Sequence, residues 1–207
     1  MLMRSPFPIL LALAATPALA QNGGAPADAA TMPEVDGRGV YVTQIGQSHT
    51  AQVSQSASSA YASVRQEGER NEAVVDQSGD GVAYSQIVQT GARNRGAVVQ
   101  DGPGSNLLYL AQSGQDNQAA AQQNATPGAH NGAILTQVGN QNVMALTQDG
   151  SDNQAVLAQQ GDGNQMAASQ LGDGNRLQWT QDGFGLPSLG VAQTGAQTIQ
   201  ITQTGGR

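Results

Sequence analysis

The sequence predicts an all-β protein, a β-solenoid in which two facing strands make one rung and each rung stacks on the one before. Three observations predict this class. A glutamine recurs about every 11 residues, a glycine follows almost every such glutamine two positions later, and inward and outward residues alternate in between. Two 11-residue strand–turn units make one 22-residue rung, so the repeat region holds about seven rungs.

The repeat consists of three columns in one register. Glutamine occupies fifteen positions, and nine of the fourteen steps between them are 11 residues long. Glycine follows in thirteen units, with Ala57 and Ala125 in the other two, and asparagine precedes glutamine by six residues in nine units. The glutamines are Gln44, Gln55, Gln66, Gln77, Gln89, Gln100, Gln112, Gln123, Gln137, Gln148, Gln159, Gln170, Gln181, Gln193 and Gln203. Repetition of this kind is typical of solenoids, in which each unit contacts only its neighbours.

Alternation identifies the strand within each unit. The fourth residue before glutamine is small or aliphatic and the second is mostly aliphatic, as in Ala73 and Val75 before Gln77. Asparagine, alanine, valine and glutamine therefore occupy every second position, which places them on one face of a strand. Each unit is predicted to form a strand of about six residues and a glycine-containing turn of about five.

Stacking explains how polar residues can face inward so regularly. Strands in an amyloid-like cross-β stack lie ~4.8 Å apart, so identical residues lie over one another. Buried amides can then bond from rung to rung, and a continuous row satisfies both donor and acceptor. The positions predicted to build this structural ladder are Gln66, Gly68, Asn71, Ala73, Gln77, Gln112, Gly114, Asn117, Ala119, Gln123, Gln137, Asn142, Gln148, Gly150, Asn153, Ala155, Gln159, Asn164, Gln170, Asn175 and Gln181.

The first forty residues are predicted to lie outside the repeat. Residues 1–20 combine Arg4, an apolar run and Ala18-Leu19-Ala20, which is the pattern of a secretory signal peptide cleaved after Ala20. Residues 21–40, rich in Gly, Ala, Pro and acidic side chains, are predicted to form a flexible N-terminal segment, and residues 41–207 form the repeat domain. No segment approaches the roughly 18 apolar residues of a membrane-spanning helix.

Composition argues against several classes of protein. The net charge of −7 disfavours nucleic acid as a partner, because phosphates attract a basic surface. The absence of cysteine removes disulfides as a source of stability in an exported chain. Aromatic residues make up only 3% of the sequence, too few for a conventional globular core. Order must therefore come from repetition.

The repeat resembles that of a known family. Gln66-Glu67-Gly68-Glu69-Arg70-Asn71-Glu72-Ala73, followed by Gln77, resembles the curlin repeat, Gln-x-Gly-x-x-Asn-x-Ala-x-x-x-Gln. The pattern is complete again in residues 112–123 and 148–159, and it recurs with Met or Leu in place of Ala in residues 137–148 and 159–181. The resemblance covers about residues 41–207, nearly all of the predicted mature chain.

The resemblance implies a function. Curlin proteins are subunits of bacterial extracellular amyloid fibres in the biofilm matrix, so it implies a secreted, adhesive, self-assembling structural subunit that reaches the cell surface through Sec and the periplasm. It also implies two partners besides further copies of the chain, namely a nucleator subunit and an outer-membrane export pore. Residues 21–40 stand where the family carries its export signal. The family's major subunit alternates a serine-led with an asparagine-led half-repeat, whereas here the serine column is missing and asparagine appears in both halves, so the resemblance leaves major subunit and nucleator both open.

Self-assembly also follows from the pattern itself. The repeat continues to Gln203 with no capping sequence, and an uncapped rung offers open strand edges to another molecule. The alternative is a monomeric secreted β-solenoid that binds a target on one face, which should show a regular outward column. The outward positions are irregular, which favours the fibre; they include Ser63, Val74, Ala97, Tyr109, Ala145 and Gln178. A disordered Gln/Asn-rich chain would not explain the hydrophobic column.

No catalytic constellation or cofactor site is predicted, and an enzyme is not expected. His49 occupies the asparagine column and His130 a turn insertion, so a ligand role is not favoured for either. Trp179 is expected to fill the interior. Acidic residues recur in the turns, where calcium binding is one interpretation and a charge that slows uncontrolled stacking is the favoured one. These residues are Asp80, Asp101, Asp149, Asp162, Asp173 and Asp182.

Overall fold

The fold is described by a computed structural model, which covers residues 38–205 and contains fifteen strands and no helix in that range. Consequently, none of the described residues belongs to a helix capable of crossing a membrane. The predicted signal peptide and nearly all of the predicted 21–40 segment lie outside the described residues. The strands are β1 (Gly39–Gln47), β2 (Thr50–Gln55), β3 (Ser59–Glu69), β4 (Glu72–Gln77), β5 (Val82–Ala92), β6 (Arg95–Asp101), β7 (Ser105–Gln115), β8 (Gln118–Ala125), β9 (His130–Asn140), β10 (Val143–Gly150), β11 (Gln154–Gln160), β12 (Gln165–Leu171), β13 (Arg176–Gly183), β14 (Val191–Thr194) and β15 (Thr198–Gly205).

The strands form two parallel sheets that face each other. Odd-numbered strands make an eight-stranded sheet, in the order β1 to β15, and even-numbered strands make a seven-stranded sheet, in the order β2 to β14. Each strand pairs with the strand two places along the chain, so the chain winds through one sheet and then the other. The predicted β-solenoid of about seven two-strand rungs is confirmed.

Register is kept even where the rungs differ in length. Gln44 pairs with Gln66 after 22 residues, Gln66 with Gln89 after 23, and Gln112 with Gln137 after 25. In these rungs the extra residues lie in the connections from the seven-stranded to the eight-stranded sheet, for example around Pro127. An insertion in a turn leaves the alternation of the following strand unchanged, so the same residue types still face inward.

The strands of the eight-stranded sheet are longer than the predicted six residues. From β3 to β9 each of them has 11 residues, because pairing continues past the glutamine to the glycine, as in Gly68 opposite Gly91. Neighbouring rungs bend at the same place, so the backbone stays hydrogen-bonded through the bend. His130, predicted in a turn insertion, instead begins β9 and pairs with Ser105.

The core is a thin layer between the two sheets. Along β4, Ala73, Val75 and Gln77 are buried while Val74 and Asp76 point outward. In the eight-stranded sheet the column two residues before glutamine fills this layer, from Val64 to Trp179, both at most 1% exposed. The core thus consists of stacked identical or similar side chains, as the alternation predicts.

Candidate functional site: the amide rows and the end strands

Two rows of glutamine side chains run the length of the stack. In each row the Nε2 of one glutamine donates to the Oε1 of the glutamine in the next rung. The first row, in the eight-stranded sheet, links Gln44, Gln66, Gln89, Gln112, Gln137, Gln159, Gln181 and Gln203 at 2.8–2.9 Å. The second row, in the seven-stranded sheet, links Gln55, Gln77, Gln100, Gln123, Gln148, Gln170 and Gln193 at 2.7–2.8 Å.

The direction of both rows is set by a second hydrogen bond. Nε2 of Gln66 also donates to the main-chain carbonyl of Thr50 on the facing strand, at 3.0 Å, and Nε2 of Gln148 donates to that of Gly132, at 3.1 Å. A carbonyl oxygen accepts only from the NH₂ end of the amide, so Oε1 must point back to the preceding rung. Both rows therefore run with acceptors toward β1 and β2 and donors toward β14 and β15.

The buried glutamines are satisfied by these bonds. Gln66 and Gln148 are fully buried, and a buried amide without partners would cost about 1–3 kcal/mol for each orphaned group. Among residues 38–205, only Asn106 Oδ1 is a buried side-chain polar atom without a hydrogen-bond partner. It lies next to the connection in which the rung lengthens to 25 residues. The polar interior is thus compatible with a stable stack, and the glutamine bonds persist across spacings of 22, 23 and 25 residues.

The asparagines bond to one another from rung to rung, at 2.9–3.2 Å, and also to the main chain of the turns. Oδ1 of Asn71 accepts from the main-chain N–H of Asn94 in the next rung at 3.0 Å, and Nδ2 of Asn94 donates to the carbonyl of Gly114 at 2.9 Å. The same arrangement links Asn153 and Asn175 on the other side of the stack. Asparagine side chains therefore provide hydrogen-bond partners for main-chain N–H and C=O groups in the turns, where the strand pairing is interrupted.

His49 replaces asparagine in the first turn. Its Nδ1 accepts from the main-chain N–H of Asn71 at 3.3 Å, the bond that an asparagine Oδ1 makes elsewhere. Its Nε2 lies 3.1 Å from the carbonyl oxygen of Ile45 and acts as the donor. Both ring nitrogens are thus used within the turn.

The glycine column is required by the bend. Gly68 has φ of +110°, a conformation that side-chain-bearing residues rarely adopt, and a Cβ there would overlap the carbonyl oxygen of Gly91. Gly114 and Gly150 have φ of +121° and +124° and face the same obstruction from the rung above. The glycines therefore permit both the bend and the close approach of successive turns.

The turn acids accept hydrogen bonds from the preceding rung. Asp162 Oδ1 accepts from the main-chain N–H of Asn140 at 2.7 Å, and Asp173 Oδ1 accepts from that of Ser151 at 3.0 Å. Within the described part of the chain, no three acidic or histidine side chains converge as a metal site would require. The acids therefore contribute to rung-to-rung bonding in the turns.

The outer faces contain two columns that the sequence reasoning missed. On the eight-stranded sheet, the rings of Tyr61 and Tyr84 stack with centroids 4.9 Å apart, and Tyr41 packs against Tyr61 at 5.3 Å. Burial raises the pKa of the Tyr84 hydroxyl, with a smaller contribution from Tyr61. On the seven-stranded sheet, small residues line up from Val74 to Ala97 and onward through Ala120, Ala145 and Ala167. Tyr61 and Tyr84 are 23 residues apart and the small residues are 22–25 residues apart, so this spacing, rather than the 11-residue one, was the signal for them.

The two ends of the stack expose core positions. At one end Val40 and Val42, on the inward face of β1, are 49% and 47% exposed, although the same column is buried from Val64 onward. At the other end Ile199 and Ile201 of β15 are only partly buried against the core. Strands β1, β2, β14 and β15 each lack a neighbour on one side within residues 38–205. At both ends of the described stack, strand edges therefore lack a hydrogen-bonded neighbour and apolar side chains are incompletely covered.

Comparison of the chain with protein-family models, with curated proteins and with solved structures finds no match. The sequence pattern and the geometry of the stack are therefore the basis for inferring a function.

Proposed function

We propose that this chain is the structural subunit of an extracellular, curli-like amyloid fibre that assembles by end-to-end stacking of its rungs. The observation that carries the proposal is the polarity of the two Gln rows. At one end, no described group donates to Oε1 of Gln44 or Gln55. At the other end, Nε2 of Gln203 donates only to the carbonyl of Pro187, at 3.3 Å, which leaves one hydrogen without a partner among the described residues.

The two ends are complementary in three respects. A donor at one end meets an acceptor at the other, open parallel strand edges are available at both ends, and incompletely buried aliphatic residues lie between the sheets at both. Joining two N-terminal ends would place acceptor against acceptor, which gives no hydrogen bond. Head-to-tail addition continues every row of the stack and also buries Val42 and Ile201.

Assembly further compensates for the thin interior. A rung contributes about two large aliphatic side chains, worth roughly 1.5–3 kcal/mol each, against the ordering of about 22 residues. Most stabilisation must therefore come from contact with neighbouring rungs, and a terminal rung has only one neighbour. A fibre gives every rung two neighbours.

The cellular part of the proposal rests on the N-terminal sequence and on the curlin-like repeat. The chain is secreted after cleavage near Ala20, passes an outer-membrane pore with the help of residues 21–40, and joins the biofilm matrix at the bacterial surface. A nucleator subunit starts the first stack, and the chain contributes to adhesion as part of the fibre. The role involves no catalysis.

A second candidate function follows from the outward column of small residues on the seven-stranded sheet, from Val74 to Ala167, whose regularity suits a secreted β-solenoid that binds a flat target as a monomer. The role of minor nucleator, which a curlin-like repeat equally allows, would apply if the chain accelerates assembly of another subunit at substoichiometric amounts.

The deciding experiment follows assembly of purified residues 21–207 by thioflavin fluorescence, with and without preformed seeds. We expect a lag that seeds abolish, because the first stack is costly and later additions meet a ready template. Fibre diffraction should give a meridional reflection at ~4.8 Å. A chain that stays monomeric for days at tens of micromolar, with one sharp unfolding transition, would overturn the fibre function and favour the monomeric binder.

A further inference from the structure

The described residues contain an odd number of strands, which makes the two sheets unequal. The eight-stranded sheet ends at β15, whereas the seven-stranded sheet ends one layer earlier, at β14. At the other end β1 and β2 form the first rung together. The stack therefore has a step one strand high at its C-terminal end.

Stacking copies without rotation would leave a hole at every joint. If β1 of the next copy lay on β15, then β2 of that copy would lie two layers above β14. Two layers are ~9.6 Å, twice the distance that strand hydrogen bonds can bridge. One strand position in the seven-stranded sheet would stay empty in each joint, beside the half-buried Ile199 and Ile201.

The two sheets are similar enough to replace each other. Both end strands place an aliphatic residue two positions before the terminal glutamine, Val191 in β14 and Ile201 in β15. Both first strands do the same, with Val42 in β1 and Val53 in β2. The inward columns therefore match whichever sheet lies above the other.

From this geometry, and resting on the proposed fibre function, we infer that successive copies are rotated by about half a turn around the fibre axis. Strand β1 of the incoming copy then fills the step above β14, and its β2 lies on β15. The winding of the chain continues across the joint as though a sixteenth strand followed the fifteenth. No strand position is left empty.

The rotated joint covers the exposed core residues at both ends. Each strand of the stack faces the strand before it and the strand after it along the chain, but β1 and β15 each have only one such neighbour within residues 38–205. In the rotated joint these two strands face each other, so Val40 and Val42 cover Ile199 and Ile201. The joint therefore covers the two side chains of β1 that are almost half exposed, although the equivalent side chains of strands inside the stack are buried.

The Gln rows cross over at each rotated joint. Nε2 of Gln193, which bonds the carbonyls of Arg176 and Gln197 at 2.9 Å, reaches Oε1 of Gln44 in the next copy. Gln89 shows that an amide with two such carbonyl partners also donates to the next glutamine, Gln112. In the same way Gln203 reaches Gln55 of the next copy. Each row therefore alternates between the two sheets from one molecule to the next.

Engineered cysteine pairs distinguish the two joints, because the native chain has no cysteine. Thr202 lies one residue before Gln203, so in the rotated joint it stacks on Ser54 of the next copy, whereas without rotation it stacks on Thr43. All three side chains are exposed and point outward. The variants are S54C/T202C and T43C/T202C. The positive control is T180C/T202C, whose two positions are already paired within one molecule.

The measurement is oxidation of assembled fibres of residues 21–207, followed by gel electrophoresis without reductant. We expect S54C/T202C to give a reducible series of multimers and T43C/T202C to stay monomeric, while T180C/T202C closes its disulfide within the chain. Cross-linking of T43C/T202C would overturn the rotation but leave the fibre function intact, as would failure of both test pairs in fibres whose control pair closes. A chain that forms no fibres at all would overturn the fibre function itself.

Helical reconstruction of fibre images gives an independent readout. Seven and a half rungs at ~4.8 Å predict a rise of ~36 Å per molecule with a rotation of about 180°, added to the twist of the sheets. A rise of ~38 Å with no half turn would mean eight rungs per molecule and an unrotated joint.

Discussion

The indole Nε1 of Trp179 donates a hydrogen bond of 2.8 Å to Oε1 of Gln203, in the last strand of the eight-stranded sheet. The same oxygen accepts from Nε2 of Gln181 at 2.9 Å. The one tryptophan of the chain thus joins the aliphatic column to the end of the first Gln row, within the core that Ile201 covers only in part.

Replacing Trp179 with Phe should destabilise the C-terminal rungs. Phe fills most of the volume but cannot donate to Gln203, so we expect a loss of about 1–2 kcal/mol from the missing bond and the residual cavity. Urea unfolding followed by circular dichroism measures the change. Gln178→Ala, on the exposed side of β13, is the matched control and should change stability by less than about 0.5 kcal/mol. A fully neutral Trp179→Phe would mean that the bond contributes nothing.

Replacing Asn153 with Ala should weaken the stack more than replacing Gln154, its exposed neighbour. Asn153 Oδ1 accepts from the main-chain N–H of Asn175, and its Nδ2 donates to the carbonyl of Gly172 at 2.8 Å. Removing the amide orphans both groups, at about 1–3 kcal/mol each. Fibre growth rates and urea midpoints of the two variants provide the comparison. Equal effects would show that the inward and outward assignments are wrong.

Replacing Gly150 with Ala should be far more damaging than replacing Gly185. Gly150 has φ of +124° and a Cβ there would overlap the carbonyl oxygen of Gly172, whereas Gly185 has φ of +62° and no atom within 4 Å of a Cβ. Alanine can adopt the backbone conformation of Gly185 at a cost of about 1–2 kcal/mol. At Gly150 it is excluded both by the φ angle and by the overlap of its Cβ with the carbonyl oxygen of Gly172. Thermal unfolding of the two variants tests this, and similar losses would contradict the close approach of successive turns.

Placing a charge at Leu157 should stop assembly. Leu157 is fully buried between the sheets. Because a buried ammonium group there would have no hydrogen-bond or charge partner, Leu157→Lys should prevent the two strands of the rung from packing together. Val156→Lys, one residue away on the outer face, should permit fibres. Sedimentation and thioflavin fluorescence distinguish the two. Normal fibres from Leu157→Lys would contradict the placement of this residue in an apolar core between the two sheets.

The N-terminus of extracellular material should be Gln21 or a residue close to it. The prediction rests on the basic, apolar and small-residue pattern of residues 1–20. Mass spectrometry of the secreted chain reports the terminus directly, and the cell pellet serves as the control fraction. Recovery of only intact chains beginning with Met1, all of them in the cytoplasm, would contradict secretion.

The sequence by itself determined the solenoid, the number of rungs and the residues that face inward. Period two from Asn71 to Gln77 decides the face of a strand without reference to any other strand, and the 11-residue spacing allows only one such strand and one turn per unit. Equal spacing then places Gln66, Gln89 and Gln112 in one column. These inferences are local, which is why composition and spacing sufficed.

The tertiary structure alone decided how these columns bond and how the stack ends. The direction of the Gln rows depends on carbonyls such as that of Thr50, which belong to the facing strand and lie 16 residues away. Strand length depended on whether neighbouring rungs bend together, which extended β3 through Gly68. The step between β14 and β15 depends on which sheet holds the last strand. Each of these is a relation between rungs or between sheets, and side-chain periodicity within one unit contains no information about it.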